Sequence, residues 1–439
     1  MRYLLILGFS ICFLFNAVDA QAQANDKSRA GSFYSSFGFG APTDINSPYS
    51  EGMGLTGIST FTNMSPNLAN PGMWGLVGFT QGNVSASFTN YSARDNISSA
   101  SNSLFAFDNF QVVLPIVRNR MGVSVAFTPL TRSNYQVFND DSFDIIDGLG
   151  LGQVDFTSST LGSGGINRFE IGAGYRPFPN FGFGYAFSAN ILSQEQEVAT
   201  LFSDETYRNI VSDRSITGTG FGHRFGAFFN KGGIFRSDDQ ISIGAAITVP
   251  LTIDADRSVS TFRQVGTGNQ RTLIELNEND PSRDGTVRLP LEFNAGLTYN
   301  LSRFVNVSTE FQLQEWSNAR FSYSSAQEAY FKDRVKAGFG VQYHPYRAEQ
   351  AQGFFRSIKY SLGATIDNGH LSIDGQDIET IYFSAGIGLI PTRSSSSVDL
   401  NIHYGIRGTQ SSNLVKENIW GFSLSLNLAE FMFVRQRFQ

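Results

Sequence analysis

From residue 73 onward one pattern recurs along the chain: apolar and polar side chains alternate with period two. Between Phe304 and Trp316, one side carries Val305, Val307, Thr309, Phe311 and Leu313, and the other Asn306, Ser308, Glu310, Gln312 and Gln314. Successive side chains of an extended strand point to opposite faces, so this spacing predicts strands with one apolar and one polar face. Phe181, Phe183, Tyr185, Phe187 and Ala189 repeat the pattern against Gly182, Gly184, Ala186, Ser188 and Asn190. So do Leu291 to Thr298, and Trp420 to Leu428 near the C-terminus.

A soluble sandwich also alternates, with its polar face in water. Three features favour a membrane barrel. The polar faces carry charge: Glu170, Arg176, Arg224, Glu292, Glu310, Lys336, Lys359, Asp399 and Arg407. The strand ends carry Phe178, Tyr299, Trp316, Tyr343 and Trp420, as interfacial aromatic girdles do. Short turns such as Arg118-Asn119-Arg120, Phe178-Pro179-Asn180 and Leu301-Ser302-Arg303 alternate with long polar segments. That is the asymmetry of periplasmic turns and extracellular loops. Composition agrees: 41 Phe and 44 Gly, with 16% charged residues against about 25% in an ordinary soluble domain.

Residues 1–24 read as a secretory signal: Arg2, an apolar run from Tyr3 to Phe15, then Ala20-Gln21-Ala22-Gln23-Ala24 with two overlapping cleavage sites. The single cysteine, Cys12, lies in that run, which excludes a disulfide framework or a cysteine metal site. No later stretch of about 20 apolar residues offers a transmembrane helix, so insertion must be as a barrel. A net charge of −6 gives no basic footprint for nucleic acid. The expected fold class is all-β: a fourteen-stranded antiparallel transmembrane barrel over residues 73–439, in the outer membrane of a Gram-negative bacterium. Both termini are expected in the periplasm, and the long segments near 137–165, 198–217 and 259–284 are expected as extracellular loops.

Residues 25–72 break the pattern. Phe33, Tyr34, Phe37 and Phe39 stand among small residues, followed by a stretch rich in Gly, Ser, Asn and Pro. A floppy tail has no use for four aromatics in seven residues, so a plug, or hatch, inside the lumen is the sharper reading; the tail remains the alternative.

Gly52-Met53-Gly54-Leu55-Thr56-Gly57, followed by Pro66-Asn67-Leu68-Ala69-Asn70-Pro71-Gly72, resembles the hatch of the outer-membrane long-chain fatty acid transporters (FadL-like). In that family an Asn-Pro-Ala motif is usual, and Gly72 stands in place of its alanine. The run from Arg288-Leu289-Pro290 to Glu315-Trp316-Ser317, the stretch Arg334 to Pro345 and the ending Trp420 to Phe438 also resemble the family. The resemblance implies a fourteen-stranded barrel with an N-terminal hatch. It also implies passive uptake of hydrophobic small molecules, long-chain fatty acids first among them, an N-terminus that reaches the ligand pocket, and a kink in the third strand that opens sideways to the bilayer.

The site expectations follow. Phe33, Phe37 and Phe39 contact the ligand or seal its path. Leu201, Phe202, Leu273 and Ile274 form a capture surface on the loops; the alternative is that they only pack those loops together. Asn70, Pro71 and Gly72 form the hatch motif. Pro129 ends the clean alternation Met121 to Thr128. Because proline cannot complete a ladder bond, Pro129 marks a bulge, either the side exit or a harmless irregularity near the rim. An Arg or Lys near the apolar hatch is the credible head-group ligand. No catalytic residue, cofactor or metal is expected. The histidines His223, His344, His370 and His403 lack ligand spacing, and Asp140, Asp141, Asp144 and Asp147 lack that of an EF-hand. The repeated Gly-x-Gly pairs have no helix to make a dinucleotide fingerprint and read as lumen-facing glycines that leave room for a plug. Expected partners are a hydrophobic ligand, outer-membrane lipid and lipopolysaccharide, with the chain a monomer. Two other readings stay open: a secretion- or assembly-associated barrel without transport, and an outer-membrane lipid hydrolase, for which no Gly-x-Ser-x-Gly elbow is present.

Overall fold

The computed structural model describes residues 31–147, 150–204, 206–264, 271–276, 283–323, 328–345, 354–390 and 396–430. Residues 1–30, which include the segment expected as a signal, and residues 431–439 lie outside them.

The hatch contributes one two-residue strand, β1 (Ala41–Pro42). The wall begins with β2 (Thr80–Arg94), β3 (Ser99–Val117) and β4 (Met121–Arg132). β5 (Tyr135–Asp147) pairs only with the outer part of β6 (Gly150–Phe178), and β6 is followed by β7 (Phe181–Phe202) and β8 (Ile210–Gly232). Three wall positions are broken strands. β9 (Gln240–Thr248) and β10 (Leu251–Gln264) run in line across Val249-Pro250, with β11 (Arg271–Leu276) added to the outer end of β10. β12 (Asp284–Leu289) and β13 (Glu292–Asn300) flank Pro290. β14 (Val305–Gln314) and β15 (Arg320–Phe321) flank the turn at Trp316. β16 (Arg334–Tyr343) and β17 (Ile358–Asp367) precede a small hairpin, β18 (Ser372–Ile373) and β19 (Gln376–Asp377). β20 (Thr380–Leu389), β21 (Ser397–Arg407) and β22 (Lys416–Glu430) complete the wall. β22 pairs with β2 from Thr80–Glu430 to Arg94–Lys416, closing a barrel of fourteen antiparallel positions. Closure removes the sheet edges that lipid could not hydrogen-bond.

β22 shows the inverted polarity of a membrane wall. Trp420, Phe422, Leu424 and Leu428 are exposed outward, while Ser423, Ser425 and Asn427 are buried in the lumen. The tight turns lie at the end that holds Thr80 and Glu430; the opposite, outer end carries the longest strands.

The segments expected as loops are largely strand. Residues 137–147 and 150–165 fall on β5 and β6, 198–202 and 210–217 on β7 and β8, and 259–264 and 271–276 on β10 and β11; 148, 149, 205, 265–270 and 277–282 lie outside the described residues. Asp140, Asp141, Asp144 and Asp147 thus sit on a strand. Beyond the lipid a strand needs no apolar face, so its period-two signal fades while its ladder continues. Trp316 is no girdle residue: it is buried in the lumen against Phe331 and His370. Residues 74–79 belong to no strand, since Pro71–Leu76 is a 3₁₀ turn of the hatch with Trp74 fully buried.

The hatch backbone lies directly against wall glycines. A Cβ at Gly184 would collide with the carbonyl of Pro71, and one at Gly244 with that of Ile58. Gly184→Val should therefore loosen the hatch around Pro71, because forced overpacking costs about 1–3 kcal/mol, a change of roughly 5- to 150-fold in the exposure of that segment. Limited proteolysis of the folded, heat-modifiable barrel measures it; unchanged cleavage would mean the contact does not hold the hatch.

Candidate functional site

The hatch motif is a cap. Asn70 Oδ1 accepts from Gly72 N at 2.9 Å, and its Nδ2 donates to the carbonyls of Ile58 and Ala227, both at 2.9 Å. Pro71 occupies the first turn, where no N–H is needed. Gly72 departs from alanine for a local reason: a Cβ there would press on the backbone of Ala227.

Inward charges of the wall grip this backbone. Arg224 pairs with Glu170 at 2.5 Å and donates to the carbonyls of Leu68 and Ala69, each at 2.8 Å. Glu310 accepts from the amides of Thr56, Gly57 and Ile58 at 2.7–2.9 Å and from the Thr56 hydroxyl. Lys336 and Arg334 hold Asp44 at 2.6 and 3.0 Å. Burial alone would raise the Asp44 carboxyl; the two cations outweigh it and hold it well below the usual range. Lys359 pairs with Asp399 and lies over the Tyr49 ring at 4.2 Å. At the outer end Glu417 accepts from Phe33 N and Ser32 Oγ, beside Arg407.

Phe33, Phe37 and Phe39 fill the outer half of the lumen. Phe39 is buried on Phe321 at 5.3 Å, and Phe37 meets Tyr330 edge-on at 5.7 Å. Ile166, Leu192, Ile216, Trp316 and Phe331 complete the cluster. Leu201, Phe202, Leu273 and Ile274 are not brought together. Phe202 of β7 joins an aromatic group with Phe143 of β5, Phe156 of β6 and Tyr207 of the β7–β8 connection. Leu273 lies on β11, paired with Phe262, three strands along the wall from β7 on the rung of Ala199. The side chain of Ile274 lies outside the described residues.

Pro129 stands where the wall parts. β3 and β4 pair from Val117–Met121 to Phe110–Phe127 and no further. Above that, Ser99 to Asn109 of β3 pair with β2 alone, and β4 keeps only β6, with a register shift between Pro129 and Thr131. The hatch takes the freed edge. Ala41 and Pro42 of β1 pair antiparallel with Arg132 and Thr131, Thr43 N donates to Leu130 O at 2.9 Å, and Thr43 Oγ1 donates to Pro129 O at 2.6 Å. Arg132 crosses the seam to Phe107 O at 2.7 Å and Asp108 Oδ1 at 2.9 Å.

Two cavities lie behind this seam. One of about 50 Å³ is lined by Leu130, Leu251, Leu289, Pro42, Trp316 and Arg168, among others. Arg168 is 2% exposed, and its one hydrogen bond among the described residues runs from Nε to Thr128 Oγ1 at 3.5 Å. The other, about 240 Å³, is polar and bounded by both lips of the seam: Asp108 and Asn109 on β3, Thr128, Pro129 and Arg132 on β4. Asp44 and Glu51 enter it from the hatch. Burial pushes the Glu51 carboxyl up to about 7, helped by Asp108 and Asp399. The sequence pointed to Pro129, but not to Arg168, Arg132, Asp44 or Glu51. For Arg168 a signal existed: it shares the inward face of β6 with Glu170.

The docked hatch favours neutral Glu51, so docking is strongest below about pH 4.5 and weakens as pH rises through about 7. Protease release of the hatch should increase over that interval by an amount on the order of 2 kcal/mol. In Glu51→Gln the slope should flatten; an unchanged slope would mean another group sets it.

No curated protein matches the chain. Solved structures it resembles include a Pseudomonas aeruginosa FadL homologue (TM-score 0.57, 10% identity, 88% of this chain and 98% of that one). The P. putida toluene transporter TodX gives a TM-score of 0.54 at 12% identity, over 91% of this chain and 100% of that one. The Ralstonia pickettii toluene transporter TbuX gives 0.51 at 14% identity, over 92% and 99%. These likenesses establish a FadL-like outer-membrane barrel fold. The family model described as BamG matches residues 5–439, nearly the whole sequence, and the chain belongs to the BamG family.

Proposed function

We propose that this barrel passes hydrophobic small molecules between its lumen and the outer membrane through the seam between β3 and β4. One observation carries the reading: the wall is unpaired above Phe110–Phe127, and a strand of the hatch, not of the wall, occupies the freed edge. Phe105 and Phe107 on one lip are exposed, as lipid-facing residues are. Pro129 lies eight residues above the turn, ~27 Å of strand, or ~19 Å of height at a tilt near 45°. That is within the ~25 Å apolar band. The solved relatives named for toluene transport share the fold, which supports the ligand class.

Long-chain fatty acids are the ligands of choice. Arg168 presents a buried guanidinium with no ion pair within 4 Å among the described residues: Glu170 pairs with Arg224, while Glu292, which lines the same cavity, is held by the neutral amides of Asn294, Gln312 and Gln314. A carboxylate entering behind β1 finds a charged fork there and aliphatic walls for its chain. An apolar chain gains about 0.8 kcal/mol per CH₂ by staying out of water on this route. Phe33, Phe37 and Phe39 seal the outer lumen, and Leu201 and Phe202 lie near the entrance. The protein acts as a monomer.

A second reading, an assembly- or secretion-associated barrel without transport, is favoured by the grip on the hatch: Asp44 pairs with Arg334 and Lys336 of β16, and Arg224 of β8 and Glu310 of β14 hold hatch backbone. One experiment separates the two. Pro42 and Thr131 are register partners, so cysteines at both positions suit a disulfide that fixes β1 on β4. Oxidised P42C/T131C in liposomes should take up a fluorescent fatty acid about tenfold more slowly than the reduced form, a barrier change of 1.4 kcal/mol. Equal rates would place the exit elsewhere, and no uptake by the parent protein would favour the second reading.

A further inference from the structure

The larger cavity is built for a different group than the carboxylate expected beside Arg168. Its wall carries three carboxylates, Asp44, Glu51 and Asp108, and two cations, Arg132 and Lys336. Lys336 is committed to Asp44 at 2.6 Å and Arg132 to Asp108 at 2.9 Å. Glu51 has no cation beside it among the described residues; Asn401 donates to it at 3.2 Å. With Glu51 ionised, above the value of about 7 to which its burial pushes it, the wall is one positive charge short.

The uncharged groups agree. Three polar atoms of the cavity-lining residues have no hydrogen-bond partner among the described residues: Asn46 Oδ1, Asp108 Oδ2 and Asn109 Oδ1. All three are acceptors, and Asn109 is 6% exposed. A buried acceptor left unpaired costs about 1–3 kcal/mol, so the wall calls for a guest that donates. A carboxylate brings no donor and would meet Glu51 with like charge. A primary ammonium brings three donors and the missing charge.

The geometry points to a binding site for the primary ammonium head of an amphiphile, held at Glu51 with its apolar tail leaving through the β3–β4 seam. Asn109 and Asp108 on one lip and Thr128 and Pro129 on the other bound the cavity, so the head sits inside the wall while the tail stays in lipid. Two sources share this chemistry: a free alkylamine and the ethanolamine head of a membrane phospholipid. The tail's path rests on the seam proposed above; the head-group site rests on the cavity alone.

The test uses the mature chain in phosphatidylcholine nanodiscs at pH 8, titrated by calorimetry with dodecylamine, dodecyltrimethylammonium and dodecanoate. Dodecylamine is expected to bind at least about tenfold more tightly to the parent than to Glu51→Gln, a 1.4 kcal/mol difference. Asn109→Leu removes an acceptor and leaves the charge, and is expected to weaken the same ligand. The trimethyl compound has the charge and no N–H, so it should show little dependence on Glu51. Replacing part of the phosphatidylcholine with phosphatidylethanolamine separates the sources: competition with dodecylamine identifies the lipid head, and its absence identifies the free amine. Heat-modifiability confirms that each variant is folded. Equal dodecylamine affinity in the parent and both variants, or equal binding of the trimethyl compound, would overturn the site and leave a water-filled cavity. Fatty acid uptake through the seam is scored separately, so loss of this site leaves the transport reading standing.

Discussion

A backbone in lipid has no water to bond, so every N–H and C=O of the wall must find a partner in protein. The contact between β3 and β4 meets this demand only up to Phe110–Phe127. The hatch is required by that shortfall. Thr43 N, Ala41 and Pro42 bond the edge of β4 that β3 abandons, and Arg132 reaches across to the Phe107 carbonyl. A barrel without its hatch would expose an edge in the membrane, so the plug is part of the wall as well as its content.

The lumen charges follow from the same arrangement. A charge facing inward has left water, and removing the partner of a buried pair costs about 3–5 kcal/mol. Here the partners are shared between wall and hatch: Glu310 takes amides of Thr56 to Ile58, and Arg224 takes carbonyls of Leu68 and Ala69. These groups bond backbone, so they fix the path of a segment with little regular structure of its own. Wall glycines such as Gly184 and Gly244 let that path run at backbone distance.

The barrel was legible because lipid imposes period two on every strand that crosses it. Trp420 to Leu428 can be assigned to faces by counting, and the structure agrees. Where lipid ends, the constraint ends, and β5, β11 and the outer parts of β6 to β8 read as loops although they are paired. Trp316 misled for a related reason: an aromatic at a strand end suits a girdle or a lumen turn, and sequence alone does not separate them. Pro129 was legible because proline's missing N–H acts locally. The cavity behind it was not, because Asn46, Glu51, Asp108 and Asn109 come from the hatch and from β3 and meet only through the register of strands far apart in the chain.

The seam and the anchored hatch bear on function together. A hatch held by the two ion pairs of Asp44 and by Glu417, Glu310 and Arg224 on its backbone cannot leave as a unit at modest cost, because all of these contacts would be broken at once. Its contact with the seam is different in kind. β1 is two residues long and holds β4 through a few backbone bonds, each worth about 0.5–1.5 kcal/mol net. The hatch thus divides energetically into a fixed body, from Asp44 to Leu76, and a light clasp at Ala41 to Thr43. On the proposed route, movement of the clasp alone would open the way from lipid to the cavities that hold Arg168 and Glu51. Lateral exchange needs no axial pore, and a plugged barrel with a parted wall is consistent on those terms.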